Sequence, residues 1–112
     1  MNQKTKKQSP ATAFFWEIAE PFLLEPDIGE GTVMGFACLR LNDAFLACPE
    51  HQSGDLVVKL PAGRVQELIE AGQGQPFAPA GRAFKEWVRV GGRDSRRWRS
   101  LLREACDFAR RP

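Results

Sequence analysis

Cys48 and His51 are the two side chains whose types and spacing come nearest to reactive chemistry in this sequence. A Cys-x-x-His spacing supplies two metal ligands, but a structural zinc site needs four. The other cysteines, Cys38 and Cys106, fall in separate predicted elements, so we predict no metal site. A cysteine nucleophile with a histidine base also needs a third group that orients the histidine. The flanking loop offers only neighbouring carboxylates for this role, and we predict no catalytic residue.

Two glycine pairs, Gly72-x-Gly74 and Gly91-Gly92, have the composition of phosphate-binding loops but not their pattern. Neither G-x-x-x-x-G-K-[ST] nor G-x-G-x-x-G occurs in the chain, so no strand-to-helix loop is spaced to cradle a phosphate. We interpret both pairs as turns. The sequence therefore predicts no cofactor and no enzymatic activity.

Arginine is concentrated at the end of the chain, where residues 89–112 hold eight Arg against three acidic residues. Residues 11–60 hold two basic and eight acidic residues, although the net charge of the whole chain is only +2. Arg93, Arg96 and Arg97 precede or open a predicted helix, where the helix dipole does not favour cations. We therefore name these three as candidate contacts to nucleic-acid phosphates. The alternatives are an acidic partner and, the one we favour, the acidic first half of the chain itself.

Hydrophobic periodicity and turn residues predict three helices and five strands that would position these side chains. The helices are expected at residues 10–24, 61–71 and 95–110, and the strands at residues 32–40, 44–48, 55–60, 75–80 and 83–90. Pro21 should bend or end the first helix, and Asn42-Asp43 should form a two-residue hairpin turn. Pro76 and Pro79 confine the fourth strand to an edge of the sheet.

The element order α-β-β-β-α-β-β-α favours an α+β fold. We predict a two-layer sandwich, with an antiparallel five-stranded sheet and helices on one face of it. The other face of the sheet would then be partly open, and it would carry Lys59, Lys85, Trp87 and Arg89. An exposed face of this kind indicates a partner surface, and homodimerisation through it is one expectation. The partner itself is unknown from the sequence.

Length and composition predict one domain at residues 10–112, behind a disordered basic tail at residues 1–9. Three cysteines cannot all pair with one another, and two of them lie in apolar runs, which is typical of a reducing, cytoplasmic location. The chain has no apolar stretch near the roughly 20 residues that span a bilayer, so we predict no membrane contact. Trp98 begins an apolar stripe along the last helix, which we expect to be buried.

Five stretches carry a resemblance to a known family: G-x-x-x-G-F-A-C-L-R at 31–40, L-V-V-K-L-P at 56–61, the helix and glycine turn at 64–74, P-F-A-P-A-G-R at 76–82 and F-K-E-W-V at 84–88. On these motifs the chain resembles the TfoX N-terminal domain-like family, and most closely its small single-domain bacterial members. The resemblance covers residues 14–110. One departure is Met34-Gly35-Phe36, where regulators of that group more often carry Phe-Gly-Gly.

The resemblance implies a two-layer sandwich like that of secretion chaperones and no catalytic residues. The named member of the family regulates competence genes. We therefore predict a small non-enzymatic interaction or regulatory module, with weak, sequence-independent nucleic-acid binding through the last helix as the alternative. A looser likeness to the YjbR- or MmcQ-like proteins also carries a suggestion of DNA binding.

Overall fold

The computed structural model of the protein describes residues 9–111. Its helices are α1 (Ala13–Ala19), which continues into a 3-10 helix (Glu20–Leu24), α2 (Ala62–Glu70) and α3 (Ser95–Ala109). Its strands are β1 (Ile28–Val33), β2 (Phe36–Leu41), β3 (Ala44–Pro49), β4 (Leu56–Lys59), β5 (Gln75–Pro76) and β6 (Trp87–Val90). The predicted basic tail lies outside the described residues except for Ser9.

The six strands form one sheet in the order β1-β2-β3-β4-β6-β5, and each neighbouring pair is antiparallel. All three helices join one face of this sheet in a single hydrophobic core. Leu56 and Val58 of β4 lie in that core, whereas Val57 between them belongs to a separate cluster, as strand alternation requires. The opposite face, here called the second face, carries Cys38, Phe45, Cys48 and Val57. The prediction of an α+β fold with helices on one face of an antiparallel sheet is confirmed.

The predicted number of five strands is wrong, because the strand expected at residues 32–40 is two strands joined by a turn. Val33 pairs with Phe36, which leaves Met34 and Gly35 as the two turn residues. Their φ angles are 51° and 82°, and positive values at both central positions are the pattern of a tight hairpin turn. Glycine accepts such an angle without strain, but methionine is not a turn residue, so the local sequence did not indicate the break.

The last two predicted strands are also shorter than expected, at two and four residues. Between them, residues 77–86 form a loop in which the Trp87 N–H bonds the Phe84 carbonyl at 3.1 Å, as in a turn rather than a ladder. Pro76 ends β5 at the edge of the sheet, as predicted, because proline has no N–H to continue a ladder. Because β5 ends at Pro76, residues 77–86 leave the edge of the sheet and cross the second face, where Phe77 and Phe84 contact Trp87.

The helix boundaries follow local signals. The α-helical hydrogen bonding of α1 ends just before Pro21, as predicted, and Asp94 caps α3 by accepting the Arg97 N–H at 3.1 Å. The first helix begins at Ala13 rather than at residue 10, because the Thr12 N–H bonds the Ser9 carbonyl in a preceding turn. The apolar stripe predicted for the last helix faces the core, where Trp98 is fully buried.

Candidate functional site

Four aromatic rings pack together at one end of the second face. The ring of Trp87 on β6 stacks on that of Phe45 on β3, with 4.1 Å between ring centroids. Phe77 and Phe84 from the 77–86 loop contact the same indole at 5.5 and 5.0 Å. Trp87 is therefore half-buried beneath the loop, and it holds the loop against the sheet.

The structure brings three of the four residues of the predicted partner surface onto the second face. The strand register pairs Lys59 with Trp87 and Val57 with Arg89. Because Val57 lies in the cluster of the second face, alternation places Lys59, Trp87 and Arg89 on that face as well. The fourth residue, Lys85, lies in the covering loop and is exposed.

The two sheet cations of this surface already have carboxylate partners in the chain. Arg89 Nε donates to Asp55 Oδ2 at 2.8 Å, and its Nη2 donates to Ser53 Oγ at 3.2 Å. Lys59 Nζ lies 3.9 Å from Glu86 Oε1. Arg40, which alternation from Cys38 also places on the second face, donates instead to the backbone carbonyls of Asp43 and Thr32.

An apolar groove of about 250 Å³ adjoins this cluster on the second face, and Phe77 belongs to both. One wall is the turn between β1 and β2, where Met34 is 56% and Phe36 is 46% exposed. Residues 76–79, at the end of β5 and the start of the loop after it, also line the groove and form a second wall. Buried Val57 lies at the base of the groove. The rest of the lining is Val33, Cys48, Pro49, Glu50, His51 and Arg89.

A stacked pair, Phe36 and His51, separates this groove from a second cavity of about 310 Å³. The two ring centroids are 4.3 Å apart, and both side chains line both cavities. Glu50 fixes the loop that carries His51, because its Oε1 accepts hydrogen bonds from the Ser53 N–H at 2.8 Å and the Ser53 hydroxyl at 2.9 Å. His51, which lines the groove, is therefore carried by a loop that the hydrogen bonds of Glu50 hold in place.

The sequence did not single out Met34 and Phe36 as surface residues. Both were placed inside one continuous predicted strand, where a run of apolar residues indicates burial. The signal that could have located the turn is Gly35, whose position inside an apolar run is typical of a break in a strand.

The thiol that lines the groove is unsuited to act as a nucleophile. Burial raises the pKa of Cys48 to about 12, and the adjacent Cys38 and Glu50 add to the effect. Burial also raises the pKa of the Cys38 thiol. Since the thiolate is the reactive form of cysteine, both groups are neutral near pH 7. Among residues 9–111, no three His, Cys, Asp or Glu side chains are grouped in a way that could hold a metal ion.

The three candidate nucleic-acid contacts differ in what surrounds them. Arg93 donates to the backbone carbonyls of residues 53–54, at 2.9 and 3.3 Å, and so ties α3 to the loop after β3. Arg97 Nη2 donates to Gln73 Oε1 at 2.6 Å. Arg96 is exposed and forms no hydrogen bond or ion pair with the described part of the chain. Two of the three candidates therefore have contacts within the protein.

Other arginines of α3 contact the acidic first half of the chain. Arg103 Nη2 donates to Glu25 Oε2 at 2.7 Å, and Arg110 Nη2 donates to Glu25 Oε1 and Asp27 Oδ1, each at 2.9 Å. The hydrogen bonds from Arg103 and then Arg110 lower the pKa of Glu25 to about 2. The hydrogen bond from Arg110 likewise lowers the pKa of Asp27. This cluster joins the C-terminal helix to the segment before β1, and it gives much of the excess arginine a role within the fold.

Glu25 is expected to make the fold sensitive to acid. Its pKa is lower in the folded chain than the ordinary 4.5, so its contribution is complete above pH 4.5 and is lost as the pH falls towards 2. The free energy of unfolding, measured by chemical denaturation between pH 7 and pH 2, should therefore fall less steeply in Glu25→Gln than in the wild type. Glu17→Gln, which changes an exposed carboxylate on α1, is the control. Equal acid dependence in Glu25→Gln and the wild type would contradict the assignment.

No protein-family model matches this chain, and neither a curated protein nor a solved structure matches it. The resemblance to the TfoX N-terminal domain-like family therefore stays a prediction. No helix within residues 9–111 has both the length and the apolar character needed to cross a bilayer.

Proposed function

We propose that the protein is a non-enzymatic interaction module whose binding surface is the groove on the second face of the sheet. The observation that carries this proposal is the exposure of Met34 and Phe36 beside an apolar cavity. Among residues 9–111, four large hydrophobic side chains are exposed, and three of them, Met34, Phe36 and Phe84, border the second face. Exposed apolar side chains that lie together are typical of a contact surface, whereas isolated exposed apolar residues are common on any protein surface.

The chemistry of the groove supports binding rather than catalysis. Its thiol, Cys48, is neutral near pH 7, and its guanidinium, Arg89, is held by Asp55 and Ser53. A nucleophile needs a base within hydrogen-bond reach, and no hydrogen bond of the described chain supplies one to Cys48. A regulatory role like that implied by the family resemblance would also require a binding surface.

Nucleic-acid binding is the alternative, and it rests on the exposed Arg96 and its neighbours on α3. The contacts of Arg93, Arg103 and Arg110 within the chain reduce the number of arginines that remain for phosphates. Because affinity for a duplex scales with the number of phosphates neutralised, the remaining arginines favour weak binding at most.

Site-specific photo-crosslinking tests the proposal. The full chain, with p-benzoylphenylalanine in place of Phe36, is irradiated in the cells from which it comes. A matched variant carries the same group in place of Arg96, on the exposed side of α3. We expect a discrete protein adduct, in lysates treated with nuclease, from position 36 and not from position 96.

Two results would count against the groove. The absence of any adduct from position 36 would overturn it as a binding surface. A mobility shift of duplex DNA at low salt that is smaller with Arg96→Glu than with the wild type would favour the nucleic-acid alternative. The reason is that the loss of a phosphate contact weakens both the affinity and its dependence on salt.

A further inference from the structure

We infer that the partner of the groove is an acidic segment of another protein, which places an apolar side chain in the groove and carboxylates beside its walls. The inference rests on the proposed function, because it names the chemistry of what binds the same surface. The observation that carries it is a set of three cations beside the two walls that form no ion pair within residues 9–111. These cations are Arg40, Arg82 and Lys85.

Arg40 lies on the β1 side of the groove. Its side chain crosses Gly31, where an added Cβ would come within 2.6 Å of Arg40 Cδ. The guanidinium donates to the Thr32 carbonyl at 3.3 Å and to the Asp43 carbonyl at 2.6 Å. Thr32 precedes Val33, which lines the groove. Because a carbonyl group carries no net charge, these hydrogen bonds hold the Arg40 side chain in place but leave its positive charge unbalanced.

Arg82 and Lys85 lie in the loop that begins at the second wall. The Phe84 N–H bonds the Phe77 carbonyl at 3.0 Å, so residues 82–85 return to Phe77, which lines the groove. Arg82 and Lys85 are both exposed, and neither side chain forms a hydrogen bond or an ion pair with the described part of the chain. The loop therefore adds two unbalanced positive charges on the side of the second wall.

The carboxylates on the second face and in the lining of the groove have partners of their own. Glu86 lies 3.9 Å from Lys59, and Asp55 accepts a hydrogen bond from Arg89 at 2.8 Å. Glu50, which lines the groove, accepts hydrogen bonds from residues 52–53. None of them offsets Arg40, Arg82 or Lys85 by direct contact. Electrostatic complementarity therefore favours an acidic partner over a basic one.

The apolar lining sets the second requirement on the partner. The groove has a volume of about 250 Å³, whereas sites for small molecules usually measure about 300–1,000 Å³. The groove is therefore suited to a bulky apolar side chain rather than to a whole small-molecule ligand. The rest of the segment would cover Met34 and Phe36, and the burial of their exposed apolar surface contributes to affinity.

Selection from a random peptide library tests this inference without a known partner. Short peptides displayed on phage are selected on the immobilised full chain and, in parallel, on Phe36→Ser. We expect the wild type to enrich peptides that combine Asp or Glu with a large apolar residue, and Phe36→Ser to lose this enrichment. Leu24→Ser is the matched control, because Leu24 is 86% exposed and lies outside the second face. Enrichment of basic or uncharged peptides, or of none, would overturn the acidic partner.

Charge reversal tests the cations directly. A peptide from the enriched set is labelled with fluorescein, and its binding is measured by fluorescence anisotropy. The double variant Arg82→Glu and Lys85→Glu should raise the dissociation constant about tenfold or more at low salt, and it should weaken the salt dependence. The same reversal at Arg96 and Arg99, on the exposed side of α3, is the control and should change the dissociation constant less than about twofold.

Circular dichroism checks that every variant is folded. Equal dissociation constants for the wild type and the double variant at positions 82 and 85 would overturn the role of the loop cations. The outcomes also separate the inference from the proposed function. If position 36 gives a protein adduct but the selected peptides show no excess of Asp and Glu, the groove remains a binding surface and the acidic partner is wrong. If no adduct forms and Phe36→Ser does not alter the selection, both proposals fail.

Discussion

Trp98→Ala is expected to lower the free energy of unfolding by about 3–5 kcal/mol, the usual loss when a large buried aromatic is removed from a core. Trp98 is fully buried in α3, and its ring meets the edge of Phe14 with 4.9 Å between centroids. The guanidinium of Arg93 lies 5.9 Å from the same ring. The substitution would leave a cavity where α1 and α3 meet. Chemical denaturation followed by circular dichroism measures the loss.

Two further variants distinguish the loss of packing from other effects. Trp98 Nε1 is buried and has no hydrogen-bond partner among residues 9–111, so Trp98→Phe removes a polar group that costs free energy to bury. We expect this variant to lose less than half as much stability as Trp98→Ala. Arg99→Ala, on the exposed side of the same helix, should change the free energy of unfolding by less than about 0.5 kcal/mol. A loss under about 1 kcal/mol in Trp98→Ala would contradict a buried stripe.

Gly54→Ala is expected to destabilise the fold by about 3 kcal/mol, from two causes that act together. Gly54 has a φ angle of +78°, which costs an L-residue about 1–2 kcal/mol. A Cβ atom there would also overlap the carbonyl oxygen of Ala11 and lie 2.8 Å from Arg93 Nη2. Relieving such an overlap costs about 1–3 kcal/mol. The movement would also disturb the two hydrogen bonds from Arg93 to residues 53–54.

Gly72→Ala is the control that isolates the backbone angle. Gly72 has a similar φ angle of +73°, but nothing lies within 4 Å of the position that its Cβ would take. We expect this variant to lose about 1–2 kcal/mol, the cost of the left-handed conformation alone. Equal losses in Gly54→Ala and Gly72→Ala would show that the contact between residue 54 and the turn before α1 contributes nothing.

The two hairpin turns next to β2 show how far local sequence predicts this fold. Asn42-Asp43 was predicted as a turn and is one: Asn42 has a φ angle of 53°, and Leu41 pairs with Ala44. Asparagine tolerates that angle because its side chain can bond the local backbone. The turn at Met34 has a similar φ angle, 51°, at its first position but no such residue there, and it also has a positive φ at Gly35, whereas Asp43 does not. The position of the Met34 turn depends instead on the pairing of β1 with β2, in which all six residues of β1 have a partner on β2.

The candidate site depends on that missed turn. Met34 and Phe36 form a wall of the groove because the chain reverses between them. The second wall depends on the 77–86 loop, which packs on Trp87 after β5 ends. The sequence placed Met34, Phe36 and all of the 77–86 loop except residues 81–82 inside extended strands. It therefore predicted which face of the sheet is open, but it did not predict the two walls of the groove.

The sequence by itself determined the three helices, the α+β class of the fold and the apolar side of the last helix. The stripe that begins at Trp98 and the turn at Asn42 both follow from spacing within a few residues, and each is present in the structure. Only the tertiary structure decided which distant groups meet. Arg103 and Glu25 are 78 positions apart, and Arg93 reaches a carbonyl 40 positions away. Local spacing carries no information on such pairs, because the packing of the helices on the sheet determines the distance between them.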